Sequence, residues 1–290
     1  MERDEESSFR LGDWVDLDRY PLQARASLAY WDSVRRARRG LGTEECAYLP
    51  DFLRPDAIER MQEEARSLLP SAVYFSQEHN PYFSKVPEEA AAWDPRRKMG
   101  RKTNGLVPGD AFPRSGPIWN LCRHAAVKGF VEDCLDAKPL YFYEDPYGCL
   151  NVSVQRQGEE FAWHFDTNEF TISLLLEQPE RGGVFEFAPN IRTPEDECYR
   201  DVADLLEGDR SKVVALDLKP GDLQLFKGRY SVHRVTPVEG ERPRLIALFA
   251  YSRAPGMYAT PERSQQIWGR VHPDQIAALE HHSRADALVD

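Results

Sequence analysis

After Lys138 the chain falls into short β-rich runs, and no other feature narrows its fold as far. LYFY, LNVSVQ, FAWHFD, FTISLLLEQ, GVFEFAP, KVVALDL, DLQLFKG and LIALFAYS follow one another, separated by Gly, Pro, Asn or Asp. Runs of this length, rich in branched and aromatic residues and bounded by turn formers, read as strands. Eight of them within about 115 residues predict a double-sheet barrel or jelly roll. The one long interruption, Asn190–Asp209, is acidic and predicts a short helix across DVADLLEG.

The first 137 residues follow a different pattern. Residues 20–40 predict a helix that stops near Gly40 and Gly42, and CAYLPDFL predicts a short strand entering a turn. Behind Pro55, the stretch Asp56–Leu69 places Ile58, Met61, Ala65 and Leu68 at helical spacing. Residues 70–116, with prolines at 81, 87, 95, 108 and 113, read as loop, and Ile118–Leu135 as a third helix. The expected organisation is one domain over 1–290. It has a helical and loop N-terminal layer (1–137), a β core (138–256) and a C-terminal tail (257–290) with a short helix from Pro261.

Net charge of −11 disfavours a nucleic-acid partner, because phosphate binding needs a basic surface. The basic exception, DPRRKMGRK at Asp94–Lys102, reads as a solvated loop, or more sharply as the source of an arginine for an anionic substrate group. No apolar run approaches the roughly 20 residues of a membrane span, and the acidic N-terminus has no apolar signal region. Five scattered cysteines without a C-x-x-C pair read as free thiols, so a cytoplasmic address is expected. Homodimer formation stays open.

In a strand, residues i and i+2 share a face. WHFDT therefore aims His164 and Asp166 at one point, and His233 in RYSVHRV offers a third ligand 67 residues after Asp166. Two imidazoles and one carboxylate on one side of a metal leave open positions, an arrangement suited to non-haem Fe(II). Arg244 follows His233 by 11 residues on the next strand. Its guanidinium can pair bidentately with a carboxylate such as the far end of 2-oxoglutarate. Arg242 competes for that role, but Pro243 makes its segment irregular. Trp163 reads as barrel core.

Residues 140–256 resemble the 2-oxoglutarate/Fe(II) dioxygenases of the double-stranded β-helix, cupin-like fold. More narrowly they resemble the bacterial free amino-acid hydroxylases and radical lysine halogenases. The resemblance is carried by EDPYGCLNVSVQRQGEEFAWHFDTNEFTISLLLEQPERGGVFEFAPNIR and GDLQLFKGRYSVHRVTPVEGERPRLIALFAYSRAPGM, and more weakly by MGRKTNGL and IWGRVHP. It implies Fe(II) on His164, Asp166 and His233, 2-oxoglutarate on the iron with Arg244 at its distal carboxylate and Asn151 as a further contact, and dioxygen as oxidant. In the halogenases the position of Asp166 resembles Gly or Ala, which leaves room for chloride, so the carboxylate here points to hydroxylation. The resemblance further suggests Arg101 for a substrate carboxylate, Trp268 as a pocket wall and Glu144 for an ammonium group, hence a small-molecule substrate such as a polar free amino acid. Two alternatives stand beside it. One is the same chemistry on a protein side chain or natural product, and the other is a non-redox, cupin-like metal-binding protein.

Overall fold

The computed structural model describes residues 9–278. In chain order, the first strands are β1 (Cys46–Leu49), β2 (Val73–His79), β3 (Gly100–Val107), β4 (Tyr141–Phe142) and β5 (Leu150–Gln155). Next come β6 (Phe161–His164), β7 (Thr171–Glu177), β8 (Arg181–Gly182), β9 (Phe185–Ala188) and β10 (Val214–Leu216). The last are β11 (Leu223–Phe226), β12 (Val232–Val235), β13 (Val238–Glu239), β14 (Arg244–Phe249) and β15 (Tyr251–Ser252). Eleven of them form one curled sheet in the order β1-β11-β7-β14-β5-β3-β6-β12-β9-β10, with β2 added on β3. Every pairing in it is antiparallel, and β3 joins the two halves by pairing with both β5 and β6. This is the jelly roll that the strand pattern predicts.

Alternation decides which side chains face inward. On β7, Ile172, Leu174 and Leu176 turn outward and pack with Leu245, Ala247 and Phe249 of β14 against the helices. The helices are α1 (Leu28–Thr43), α2 (Pro55–Leu68), α3 (Pro117–Arg123) and α4 (Ala125–Leu135). The opposite face carries Leu175 and Ile246, which meet Leu218 inside the curl. The same inner face holds a polar row. Arg244 lies opposite Gln155 and Ile246 opposite Ser153, and Asn104 of β3 donates to Ser153 Oγ at 2.9 Å.

Helix α2 starts at Pro55, where the missing N–H costs nothing, and buries Ala57, Met61 and Ala65 four residues apart. Helix α1 begins at Leu28, capped by Ser27, and runs through Gly40 and Gly42 instead of stopping there. Gly40 is needed for close approach, since a Cβ would lie 2.6 Å from the Cys46 carbonyl of β1. The third helical stretch is broken into two at His124, which leaves the helical conformation and uses its side chain to cap α4 at Ala126 N (3.1 Å). Asp133, wholly buried on α4, ties that helix to α1. It accepts from Tyr30 Oη at 2.6 Å and pairs with Arg25 at 2.7 Å and with Lys138.

The loop expected over 70–116 is corrected: β2 and β3 lie there and complete the sheet. Their polar sequences hide them, since one face of β2 is exposed and β3 opens on GRKTN. The N-terminal region is thus a contributor of strands as well as a helical layer. Helix α5 (Tyr199–Leu206) forms where DVADLLEG predicts one, and α6 (Pro261–Trp268) and α7 (Pro273–Ala277) occupy the tail. Among the described residues no helix is long and apolar enough to cross a membrane.

Candidate metal centre

The end of β6 and the middle of β12 are neighbours, and their register sets His233 opposite His164. The two rings lie 4.0 Å apart between centroids. Two residues beyond His164, the chain turns so that the Asp166 amide donates to the Gly228 carbonyl at 3.1 Å. Asp166 Oδ1 then lies 3.9 Å from His164 Nε2 and 3.5 Å from His233 Nε2. One ligand atom from each of the three residues falls within 4.8 Å of the others.

Each imidazole is oriented from behind. His164 Nδ1 faces the Ala162 carbonyl at 2.8 Å and His233 Nδ1 the Ser231 carbonyl at 3.0 Å. A carbonyl can only accept, so each Nδ1 carries the proton and each Nε2 presents a lone pair to the common point. Burial, reinforced by the nearby His233, pushes His164 well below the usual histidine range and keeps it neutral. Burial alone would raise the Asp166 carboxyl, but its surroundings at His233 and the Thr171 hydroxyl hold it below the usual range. Thr171 Oγ1 donates to Oδ2 at 3.0 Å, leaving Oδ1 for the side where the imidazoles converge. Gly228 makes room for this carboxylate, because a Cβ there would come within 2.7 Å of Asp166 Cγ.

Aromatic rings wall the cluster. Phe161 stacks on His164 at 3.4 Å, and Phe226 and Phe185 lie 4.9 and 5.6 Å from His233. Two neutral nitrogens and a carboxylate oxygen, converging from one side of an aromatic-walled pocket, fit a divalent iron with its other positions open.

Arg244 begins β14 and is buried, while Arg242, two residues earlier, is exposed. Burial draws the Arg244 guanidinium down to about 10. Among the described residues its Nη1 meets only Gln155 Oε1, at 3.5 Å, and Gln155 Nε2 is buried without a partner. A buried cation beside an unsatisfied amide is costly unless a ligand completes it. Arg244 also lines a small cavity with Leu175, Gly183 and Phe185, so the ring against His233 is part of its wall. Asn151 faces inward, but its amide donates to the Val107 and Tyr147 carbonyls at 3.2 and 2.7 Å, bracing the junction with β3.

The three substrate candidates lie apart from this cluster. Arg101 projects from the outer face of β3, 61% exposed, and pairs with Glu160 at 3.3 Å. Trp268 packs with Leu106 and Tyr147, which fastens the tail to the barrel. Glu144 is exposed and accepts from Gly256 N at 3.3 Å. Trp163 packs among Tyr82, Phe165 and Val202, in the core as expected. The structure instead brings Lys102, Phe161 and His79 to the pocket. Strand alternation could have separated Lys102 from Arg101 had β3 been recognised as a strand.

The profile of the family described as Halogenase D matches residues 94–268. None of the curated proteins matches the chain. Among solved structures, the non-heme alpha ketoglutarate dependent epimerase SnoN from nogalamycin biosynthesis is 16% identical with a TM-score of 0.54, over 79% of this chain and 82% of its own. The carbocyclase SnoK from the same biosynthesis is 17% identical with a TM-score of 0.52, over 74% and 82%. AviO1 from Streptomyces viridochromogenes Tue57 is 18% identical with a TM-score of 0.52, over 80% and 97%. At these identities the likeness is one of fold.

Proposed function

The chain belongs to the halogenase D family of 2-oxoglutarate/Fe(II) dioxygenases, and from that premise we propose that it hydroxylates an unactivated C–H bond of a small substrate, a polar free amino acid in class. The observation that carries the reading is the position of Asp166 Oδ1, which faces both imidazole Nε2 atoms while Thr171 holds Oδ2. His164, Asp166 and His233 would hold Fe(II). Arg244, with Gln155 beside it, would take the distal carboxylate of 2-oxoglutarate by a charge-assisted pair.

When bound, Fe(II) with 2-oxoglutarate and dioxygen supplies the oxidant: one oxygen atom goes to the substrate, and the co-substrate leaves as succinate and carbon dioxide. The chain's own residues hold the geometry for this. The two backbone carbonyls fix the imidazole tautomers, Thr171 fixes the carboxylate, and Phe161, Phe185 and Phe226 exclude water. The family match brings halogenation as a second reading. Against it stands the carboxylate of Asp166, which fills the position a halide would need.

Fe(II) and 2-oxoglutarate added together without oxygen should give a weak visible charge-transfer band. With air and a panel of free amino acids, one substrate should then gain about 16 mass units with matching succinate release, as expected for chemistry at an open iron site. Absence of the band would sink the oxygenase reading. A band without a mass gain on any amino acid would move the substrate to another class.

A further inference from the structure

On β3, Arg101 and Lys102 point to opposite faces. Lys102 turns inward, opposite Gln77 of β2 and Phe161 of β6. Its Nζ lies 4.2 Å from the centroid of Phe161 and 5.2 Å from that of Phe75. Phe161 is itself the ring stacked on His164, so the ammonium is one aromatic thickness from the candidate metal centre.

A second cation comes from the tail. Helix α6, capped by Thr260, packs against β2 and carries Arg263, half-buried, whose side chain bonds only to the neutral Gln266 Oε1 at 3.3 Å. Among the described residues, neither Lys102 nor Arg263 has a carboxylate within ion-pair distance. That is unusual for a chain of net charge −11, where Arg66, Arg96, Arg234, Arg253 and Arg270 each have an acidic partner. Burial, and next the charge of Arg263, draw the Lys102 ammonium down to about 7 against the opposing charge of Asp166, and burial also lowers Arg263. His79 of β2 adds a buried Nε2 with no partner, its Nδ1 facing the Asn80 carbonyl at 3.0 Å. It lies 5.5 Å from Phe161 and 6.1 Å from His164 between ring centroids.

A desolvated ammonium and a half-buried guanidinium, with no carboxylate at ion-pair distance among the described residues and only the more distant negative charge of Asp166 acting on Lys102, are a destabilising arrangement that a bound anion would relieve. Arg244 lies on a different strand and already serves the far carboxylate of 2-oxoglutarate. We propose that Lys102 and Arg263 form an oxyanion site that holds a carboxylate or phosphate group of the substrate against the Phe161 wall, with His79 Nε2 accepting a hydrogen bond from a neighbouring substrate donor. This rests on the oxygenase reading above and names the group by which the substrate is held.

The test uses protein loaded anaerobically with Fe(II) and 2-oxoglutarate, after the charge-transfer band has been checked. A missing band would fault the iron site alone. Sulfate, which does not precipitate Fe(II), is titrated by calorimetry at constant ionic strength. Saturable binding is expected, weakened at least tenfold in Lys102→Met and in Arg263→Met and unchanged in Arg101→Ala. Acetate and methyl phosphate then compete with sulfate, and the tighter of the two identifies the substrate's anionic group. Lys102→Met also separates a ligand site from a structural cation. Methionine suits the seat between Phe75 and Phe161, so the variant should melt at or above the wild-type temperature while losing sulfate, and Lys102→Arg should keep both. No saturable sulfate binding, equal affinity in both methionine variants, or a marked fall in melting temperature for Lys102→Met would each overturn the proposal.

Discussion

The Thr171 hydroxyl donates to Asp166 Oδ2 at 3.0 Å, on the oxygen turned away from the two imidazoles. It thereby fixes which carboxylate oxygen the metal would meet. Thr171→Val keeps the shape and removes the donor, leaving the carboxylate free to rotate. Outer-shell partners of this kind contribute roughly 10- to 100-fold in metal affinity. Fe(II) or Mn(II) titration of the valine variant should show a loss in that range, with Thr171→Ser restoring most of it. An unchanged affinity would mean that backbone geometry alone holds Asp166.

The convergence of His164, Asp166 and His233 was legible in the sequence from H-x-D at the end of one strand and a histidine four hydrophobic runs later, although Asp166 lies two residues past the end of β6 and is brought in by the turn there and not by alternation. The start of β14 at Arg244 was legible from the hydrophobic run that follows Pro243. Lys102 was not, because β3 opens on GRKTN and its inward face shows only once β2 and β6 are paired with it. His79 and Arg263 share that fate: they reach the pocket from β2 and from the tail, and no local spacing records the approach. Arg101 shows the converse. The resemblance of MGRKTNG made it a candidate, and its place on β3, one residue from Lys102, puts it on the exposed face beside Glu160.

Gly228 gives an independent test of the carboxylate's position. A methyl group there would fall within 2.7 Å of Asp166 Cγ. Gly228→Ala should fold, since the backbone at this position is open to other residues, yet bind Fe(II) at least tenfold more weakly, because the added methyl would push the Asp166 carboxylate out of place. The double variant Gly228→Ala, Asp166→Gly should recover the melting temperature lost to crowding without recovering metal affinity. Wild-type affinity in the single variant would show that Asp166 does not occupy the position described.

Arg244 is buried, with a single long contact to Gln155, so its contribution without ligand is unfavourable or neutral. Arg244→Met should leave the melting temperature unchanged or raised, and Fe(II) affinity near wild type. Loss of a desolvated charge pair costs about 2–5 kcal/mol. The charge-transfer band should therefore need at least some 30-fold more 2-oxoglutarate to saturate. Unchanged saturation would move the distal carboxylate to another group.

Asp133 sets a pH limit on the fold. Burial alone would raise its pKa, but donors from Lys138, Tyr30 and Arg25 hold it below the usual carboxylate range. A depressed carboxyl adds stability that is complete above the unfolded value, about 3.9, and is lost as pH falls through the lower folded value. Arg25 and Lys138 are half-exposed, so the pairs are partly screened. Asp133→Asn should cost about 1–3 kcal/mol in urea unfolding at pH 7, by the loss of charge-assisted hydrogen bonds to a buried group. The gap between variant and wild type should narrow below about pH 4. A gap independent of pH would show that the charge is not what stabilises the contact.

On the proposed function, the outcome of the reaction turns on Asp166, because its carboxylate would both bind metal and deny a halide the same position. Wild-type protein in high chloride should still add oxygen to its substrate and release succinate in step, with no chlorinated product. Asp166→Gly removes an anionic ligand, and two imidazoles alone hold Fe(II) more weakly, so most turnover should vanish and metal affinity should fall by at least tenfold. Asp166→Glu keeps the charge but carries its oxygens one methylene further, out of register with Thr171 and the two imidazoles, so it should lose most turnover as well. If the glycine variant chlorinates its substrate, the pocket can seat chloride once the carboxylate is gone, and Asp166 alone sets the choice. Chlorinated product from the unmodified protein would overturn the hydroxylase reading, and full hydroxylation by Asp166→Gly would remove Asp166 from the ligand set.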